Sequence, residues 1–295
     1  MEEIINILPI DLQNKLKEHK NIKDITEIRI RVNKKVSIYF GTREITIDYV
    51  VDSSDILLIL KNVSMGSIYS IQNELNKGYI TIFGGHRIGV AGKVVVVDNV
   101  IKNIKEIMSL NIRIAHEIIG ASKDIMPYIL KNGEILNTLI VSKPYMGKTS
   151  ILRDIIRNLS NSGYNTCVID ERGEIASIYN NETKLDLGIR TDVISNIDKA
   201  YGIHMAIRSL NPQVICTDEI GDEEDLKAIK DLSRSGVKFI VTMHGNSYQD
   251  VENSNMNELI KKGYIDNIII LGDMPGNIKK VYENVSKKEK VYVSS

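Results

Sequence analysis

The chain has 295 residues, 43% of them hydrophobic and 26% charged, so it is long enough for two domains that each bury a core. Its 38 basic and 38 acidic side chains balance, and bulk charge therefore gives no support for a nucleic-acid partner. No apolar run approaches the roughly 18 residues of a membrane span, and the N-terminus lacks a signal-peptide pattern. We expect a cytoplasmic protein, which leaves open a peripheral attachment to a membrane protein.

The first 115 residues predict a small α+β domain. Residues 25–32 alternate between apolar and polar side chains, as a half-buried strand does, and pair with residues 35–40. A second, glycine-rich hairpin favours close approach of its backbone to another group. The predicted elements are a helix at 1–20, strands at 25–32 and 35–40, helices at 55–62 and 68–75, strands at 78–83 and 87–97, and a strand at 109–115.

The pattern changes after a connecting segment at residues 116–134. From residue 135 to 295, apolar strands alternate with helices, which is typical of an α/β fold with a mostly parallel sheet. Cys167 and Cys216 lie within predicted core strands, and we expect them to be small buried hydrophobic residues. The predicted core strands are 136–141, 165–169, 213–217 and 237–242.

The segment VSKPYMGKTS, residues 141–150, joins a predicted strand to a helical pattern at 151–159. A strand, a loop ending in Gly-Lys-Thr and a helix form the context of a phosphate-binding loop, where backbone N–H groups hold an anion. In that geometry Lys148 reaches the β- and γ-phosphates, and the Thr149 hydroxyl binds Mg²⁺. The predicted nucleotide-binding residues are Ser142, Lys143, Pro144, Tyr145, Met146, Gly147, Lys148, Thr149 and Ser150.

This loop departs from the usual pattern G-x-x-x-x-G-K-[ST], because Ser142 replaces the first glycine. Tyr145 and Met146 stand where small residues are common, and their Cβ atoms restrict the backbone near a phosphate. The alternative interpretation is an ordinary strand–turn–helix connection with Gly147 at the bend and Lys148 exposed.

Two adjacent carboxylates follow the predicted strand at 213–217. The carboxyl ends of parallel strands form the edge where α/β sheets bind ligands. We assign Asp218 to the Mg²⁺ shell and Glu219 to the base that activates water. The alternative is that both residues cap the helix that follows, since acidic side chains are favourable at a helix N-terminus.

Two further strands end in polar residues at the same predicted edge. After the strand at 165–169, Asp170, Glu171 or Glu174 is a candidate for orienting water around the metal; alternatively these acids cap the next helix or pair with Arg172. After the strand at 237–242, His244 is a candidate donor to the γ-phosphate, although a histidine there is often only a satisfied polar residue.

Together these motifs resemble the secretion ATPases of type II and type IV systems. The resemblance is carried, in order, by residues 147–149, 170–174, 208–215 with 218–221, and 242–245, which are similar to the Walker A, acidic box, Walker B and histidine box of that family. Residues 72–75, 78–82 and 84–92 resemble the stage III sporulation protein AA family, so the similarity spans nearly the whole chain.

The resemblance implies a RecA-like P-loop NTPase core with a smaller N-terminal α+β domain. It also implies a cytoplasmic, ATP- and Mg²⁺-dependent ATPase that acts on the mother-cell side of a membrane and powers a secretion-like channel in endospore formation. Relatives form hexameric rings, and by that analogy Arg87 or Arg113 approaches the phosphates across a subunit interface; the alternative for either is a surface ion pair.

A second function of another class follows from the altered loop. In that hypothesis the chain is a scaffold that docks channel proteins and binds nucleotide weakly or not at all. A nucleic-acid-driven ATPase has little support, because the sequence shows no basic groove with interleaved aromatic residues.

Overall fold

The computed structural model describes residues 1–67, 71–144, 146–178, 182–183, 185–272, 276–285 and 291–293. The chain forms two compact units, Met1–His116 with Ser177–Lys184, and Glu117–Ala176 with Leu185–Ser295. The functional division at 1–115, 116–134 and 135–295 stays a prediction.

The N-terminal unit is built on a six-stranded sheet. Its elements are α1 (Glu2–Ile7), α2 (Ile10–Lys17), β1 (Glu27–Arg31), β2 (Lys35–Phe40), β3 (Arg43–Val50), α3 (Ser53–Val63), α4 (Gln72–Asn76), β4 (Tyr79–Ile82), β5 (His86–Val97) and β6 (Val100–Arg113). The strand order is β3-β2-β1-β6-β5-β4, and all neighbours are antiparallel.

Both predicted hairpins are confirmed, but the single helix predicted at 1–20 is wrong. Two helices, α1 and α2, meet at Leu8-Pro9, where Leu8 is extended with ψ 159°. Proline lacks an N–H donor and disfavours helical geometry in the residue before it, so the helix cannot run through this point. Part of the helix predicted at 68–75 lies outside the described residues, and α4 runs from Gln72 to Asn76.

Alternation in the strands gives this sheet one buried and one polar face. Ile28 and Ile30 of β1 are buried, whereas the residues between them are half-buried. The buried face packs against α3, which begins with a capping box between Asp52 and Asp55. The opposite face carries polar side chains from the central strands, among them Arg87 and Arg113.

The second unit contains the predicted α/β sheet. Its elements are α5 (Met126–Ile129), β7 (Leu130–Lys131), β8 (Glu134–Ile135), β9 (Thr138–Ser142), α6 (Lys148–Asn161), β10 (Thr166–Asp170), β11 (Thr191–Ser195), α7 (Lys199–Ser209), β12 (Val214–Thr217), α8 (Glu223–Ser235), β13 (Lys238–His244), α9 (Tyr248–Glu252), α10 (Asn257–Lys261), β14 (Asn267–Leu271), β15 (Ile278–Glu283) and β16 (Val291–Val293).

The main sheet has the order β11-β10-β12-β13-β9-β14-β15-β16. Its first six strands are parallel, and β15 and β16 add an antiparallel edge. The four predicted core strands are β9, β10, β12 and β13, so the α/β fold class with a mostly parallel sheet is confirmed.

Helices cover both faces of this sheet, which explains the continuous apolar runs in its strands. One core cluster joins the sheet to α7, α8 and α10, and the other joins it to α5 and α6. Cys167 and Cys216 are fully buried within strands, as predicted. Across the described parts of the chain, no helix has both the length and the apolar character needed to cross a bilayer.

Candidate functional site

The carboxyl ends of β9, β10, β12 and β13 lie at one edge of the main sheet. Adjacent parallel strands are in register there, with His244 opposite Ser142 and Thr217 opposite both Val241 and Ile169. Parallel register brings the residues after each strand to the same edge. The predicted loop, carboxylates and histidine therefore emerge together.

The loop between β9 and α6 ends in a left-handed glycine. Gly147 is the N-cap of α6, with φ 79° and ψ 13°, a conformation that glycine adopts without the penalty of a Cβ atom. Lys148 is the first residue of the helix, and its side chain is only 8% exposed. The alternative in which Lys148 is an exposed turn residue is therefore wrong.

The remaining loop residues occupy different environments. Ser142 is buried and donates its hydroxyl to the Lys143 carbonyl at 3.1 Å. Lys143 and Pro144 are exposed, and Met146 is half-buried. Thr149 and Ser150 lie in the first turn of α6, and Tyr145 lies outside the described residues.

Glu219 is surrounded by three basic groups. Its Oε1 lies 3.7 Å from Lys148 Nζ and 2.5 Å from His244 Nε2, and its Oε2 accepts a hydrogen bond from Arg172 at 2.8 Å. Lys148 Nζ also lies 3.4 Å from His244 Nδ1. The ends of four strands, β9, β10, β12 and β13, thus contribute to one compact group of side chains, in which a single carboxylate contacts three basic groups.

These contacts change the acidity of both partners. Partial burial favours a higher pKa for Glu219, but Lys148, His244 and Arg172 outweigh it, and the Glu219 pKa lies below its ordinary value. Burial lowers the pKa of Lys148, although Glu219 and Asp218 oppose that effect. Glu219 is therefore an anion near neutral pH, as a water-activating carboxylate has to be.

The Glu219 backbone is held in an unusual conformation. Its φ of 37° lies in the left-handed region that is rare for residues other than glycine. Thr242 fixes this geometry, because its hydroxyl accepts the Glu219 N–H at 3.0 Å and its carbonyl accepts the Ile220 N–H at 2.9 Å. Strain of this kind persists only when neighbouring groups enforce it, and it is concentrated at functional sites.

Asp218 is buried beside this group, with 4% of its surface exposed. Burial, followed by the charge of Asp170, raises the pKa of Asp218 to about 6. The helix-capping alternative does not hold for Asp218 and Glu219, because α8 is capped by Asp222, which accepts the Asp225 N–H at 2.8 Å. The two adjacent carboxylates are thus left for another role.

The residues of the acidic turn after β10 have different partners. Asp170 is fully buried and accepts backbone N–H groups from residues 174–176 at 2.8–3.1 Å. Asp170 therefore caps the turn that follows it, as in the alternative to orienting water. Arg172 pairs with Glu219 rather than with the acids of its own turn. Glu171 accepts a hydrogen bond from Lys199 at 2.5 Å.

The sequence did not predict the partners of two basic residues at this edge, Arg172 with Glu219 and Lys199 with Glu171. Lys199 follows Asp198, the N-cap of α7, and a basic residue in the first turn of a helix is opposed by the helix dipole. That unfavourable placement is a signal in the sequence. Burial lowers the pKa of Lys199, but Glu171, Asp225 and Asp218 outweigh it and leave its pKa above the ordinary value.

Arg87 and Arg113 lie in the N-terminal unit, directly opposite each other on β5 and β6. The Arg87 guanidinium lies 3.6 Å from the centre of the Tyr79 ring, and Arg113 Nε lies 3.9 Å from Glu27 Oε2. Like charges placed opposite on a sheet repel. Arg113, half-exposed and paired with Glu27, thus has the surface ion pair of the alternative interpretation, and any catalytic role for either arginine stays a prediction.

The residues at the sheet edge fit a phosphate with Mg²⁺. Lys148, Arg172 and His244 share one carboxylate, so added phosphate oxygens would find donors in place. Among the residues that the structure describes, no three His, Cys, Asp or Glu side chains form an all-protein metal site. Mg²⁺ in phosphoryl-transfer sites uses one or two carboxylates together with substrate phosphates, and Asp218 with Thr149 suits that arrangement.

Comparison with known structures supports the same fold. The chain superimposes on the ATPase DotB of Legionella pneumophila with a TM-score of 0.61 and 15% identity, over 88% of this chain and 75% of that one. The pilus retraction motor PilT, solved with bound ADP, gives a TM-score of 0.62 and 14% identity, over 92% and 80% of the two chains. At these identities the similarity shows the fold alone, and the expected RecA-like α/β core with a smaller N-terminal α+β domain is confirmed.

Comparison of sequences identifies the family. The family described as "Sporulation stage III, protein AA" matches residues 1–289. Stage III sporulation protein AA of Bacillus subtilis is 36% identical over 294 residues, which cover 96% of this chain and 95% of that protein. The resemblance noted from the motifs is confirmed, and the chain belongs to the stage III sporulation protein AA family.

Proposed function

We propose that the chain is a Mg²⁺-dependent ATPase that powers a secretion-like channel complex during endospore formation. The proposal is carried by the contacts among the side chains of Lys148, Glu219 and His244, whose polar atoms lie within 3.7 Å of one another where the loop after β9 enters α6. The fold shared with DotB and PilT supports it.

The phosphate chain of ATP binds at the start of α6 in this proposal. Gly147 presents the helix N-terminus, where backbone N–H groups and the helix dipole favour an anion. Residues 142–150 are the proposed nucleotide-binding residues, and among them Lys148 supplies a charge that burial keeps from bulk water. Such a charge acts more strongly on phosphate than one at the surface.

Thr149 and Asp218 hold Mg²⁺, which neutralises the charge that develops on the phosphate oxygens when it is bound. Glu219 accepts the proton of the attacking water, and Lys148, Arg172 and His244 keep this carboxylate ionised. ATP offers Lys148 and Arg172 alternative anionic partners, so that Glu219 is released to bind water.

His244 and Glu171 complete the proposed site. His244 ends β13 beside Lys148 and donates to the γ-phosphate, which makes it a sensor of hydrolysis. Glu171 follows β10 at the same edge and orients water around the metal.

Assembly extends the proposal to the N-terminal unit. We place Arg87 and Arg113 at a subunit boundary of a homo-oligomeric, hexameric ring, where a guanidinium meets phosphate oxygens in a bidentate manner. The ring acts in the mother-cell cytoplasm and binds membrane proteins of the channel, and we expect no nucleic-acid partner.

The alternative is a scaffold that docks channel proteins without using nucleotide. The observation that favours it is the loop itself, in which Ser142 replaces a glycine and Pro144 and Met146 follow.

Phosphate release from ATP, with and without Mg²⁺, tests the choice between the two. The ATPase predicts turnover that requires Mg²⁺ and disappears in Glu219→Gln, while that variant still binds ATP. No turnover at any protein concentration, together with ATP binding that is absent or unaffected by Lys148→Ala, would establish the scaffold.

A further inference from the structure

Lys199 occupies a position where the helix dipole and burial both disfavour a lysine. It is the first residue of α7, so its charge opposes the helix dipole. Its side chain is only 9% exposed, and burying an ammonium group costs free energy unless a partner compensates for it.

The partner of Lys199 is a carboxylate of the proposed active site. Lys199 Nζ donates to Glu171 Oε2 at 2.5 Å. Burial opposes the charge of Lys199, but Glu171, Asp225 and Asp218 offset that cost and hold the pKa of Lys199 above its ordinary value. The Glu171 side chain is 34% exposed, so the ion pair with Lys199 is what fixes a carboxylate that solvent reaches.

The position of the pair connects two strands of the sheet edge. Glu171 directly follows β10, whereas Lys199 opens the helix that leads from β11 to β12. Further negative charges act on Lys199 from Asp218 after β12 and from Asp225 in the first turn of α8. Lys199 thus lies among the carboxylates of Glu171, Asp218 and Asp225. Lys148 has the corresponding place beside Glu219.

We infer that Lys199 is a positioning residue for the proposed hydrolysis: its ammonium group holds the Glu171 carboxylate at the phosphate-binding edge, so that Glu171 orients water there instead of turning into solvent. This inference rests on the proposed ATPase function. Lys199 acts through Glu171 and needs no contact of its own with nucleotide.

Three variants of the whole chain test the inference. Lys199→Met keeps the length of the side chain and removes its charge, Lys199→Arg keeps the charge, and Glu171→Gln removes the partner. Lys230→Met is the matched control, because Lys230 forms a similar ion pair with Glu258, at 2.7 Å, away from the sheet edge.

We expect Lys199→Met to lower kcat by about 10- to 100-fold, the range expected when a catalytic group loses its orientation. The Kd for ATP should stay unchanged, Lys199→Arg should recover most of the rate, and Lys199→Met combined with Glu171→Gln should be no slower than Glu171→Gln alone. Without nucleotide, backbone amides of residues 171–173 should exchange hydrogen faster in Lys199→Met, and Lys230→Met should match the wild type in every measurement.

A wild-type kcat in Lys199→Met would overturn the inference while leaving the ATPase proposal intact. Equal losses in kcat, ATP binding and unfolding midpoint, without recovery by Lys199→Arg, would assign Lys199 a purely structural role. If Lys199→Met does not fold, a wild-type kcat in Glu171→Gln overturns the inference. A wild-type protein that neither binds nor hydrolyses ATP removes both proposals.

Discussion

Lys148 Nζ lies 3.7 Å from Glu219 Oε1. This contact joins the start of α6 to Glu219, which comes two residues after β12 ends. The strand β13 lies between the two strands concerned, and its last residue, His244, contacts both side chains. The phosphate-binding lysine of the proposed site therefore already has an anionic partner. A nucleotide phosphate has to replace that partner, which couples binding of ATP to release of the Glu219 carboxylate.

Thr242→Val tests how the position of Glu219 is maintained. The substitution keeps the shape of a fully buried side chain but removes the hydroxyl that accepts the Glu219 N–H. We expect the free energy of unfolding to fall by about 1–2 kcal/mol, the cost of an unsatisfied buried donor, and kcat to fall because the φ of Glu219 relaxes. Denaturant titration and phosphate release measure the two effects; wild-type values in both would show that Thr242 does not hold Glu219.

Gly147→Ala tests the left-handed turn of the loop. At φ 79° a Cβ atom is strained, so we expect a loss of about 1 kcal/mol in the free energy of unfolding and weaker binding of ATP. Gly221→Ala is the control, because a Cβ atom at Gly221 meets open space and its backbone needs no positive φ. Equal stability of the two variants would contradict the argument.

His86 predicts a pH dependence in the N-terminal unit. It is 4% exposed and accepts the Ala115 N–H at 3.0 Å, and burial, the N-terminal ammonium and His116 lower its pKa to about 4. A histidine with a depressed pKa stabilises the fold above its unfolded pKa, near 6.5, and loses that contribution as pH falls towards 4. The stability advantage of the wild type over His86→Gln should shrink by about 3 kcal/mol across this window.

Denaturant titrations of wild type and His86→Gln at pH 7, 5.5 and 4 measure this change. A difference in the free energy of unfolding that stays constant with pH would show that His86 titrates normally in the fold.

Oligomerisation predicts a dependence of ATPase rate on protein concentration. If Arg87 or Arg113 completes the site of a neighbouring subunit, the rate should rise more steeply than linearly while the mass increases towards that of a ring. Arg87→Ala and Arg113→Ala should lower kcat without changing that mass. A rate strictly proportional to concentration across the assembly transition would place the complete site within one subunit.

The sequence predicted most of the main sheet because its central strands are buried on both faces. Apolar runs such as 139–141 therefore favour a buried parallel strand. The strands β11 and β14 were missed: β11 is half-exposed and contains Thr191 and Asp192, whereas β14 is as long and as buried as β9, so its apolar run was a readable signal. In the N-terminal unit β3 was missed although residues 43–50 alternate, and the helix predicted at 1–20 runs through Pro9, which separates α1 from α2.

The candidate site was predictable to the extent that parallel strands end at one edge. That rule places Lys148, Glu219 and His244 together without any knowledge of loop geometry. It does not give the partners of Arg172 and Lys199, because these depend on how the turns after β10 and before α7 fold. Nor does it separate Asp170 from Glu171, since capping a turn and orienting water call for the same side-chain chemistry.

Calorimetric titration of ATP with Mg²⁺ into wild type and Lys148→Ala tests the central claim most directly. Lys262→Ala serves as the control, because Lys262 forms an exposed ion pair with Glu258 at 2.6 Å. The ATPase account predicts saturable binding to the wild type and to Lys262→Ala, and a loss of at least about tenfold in affinity in Lys148→Ala, as expected for removal of a charge-assisted hydrogen bond to phosphate. Binding that is absent from the wild type, or equal in all three proteins, would contradict it.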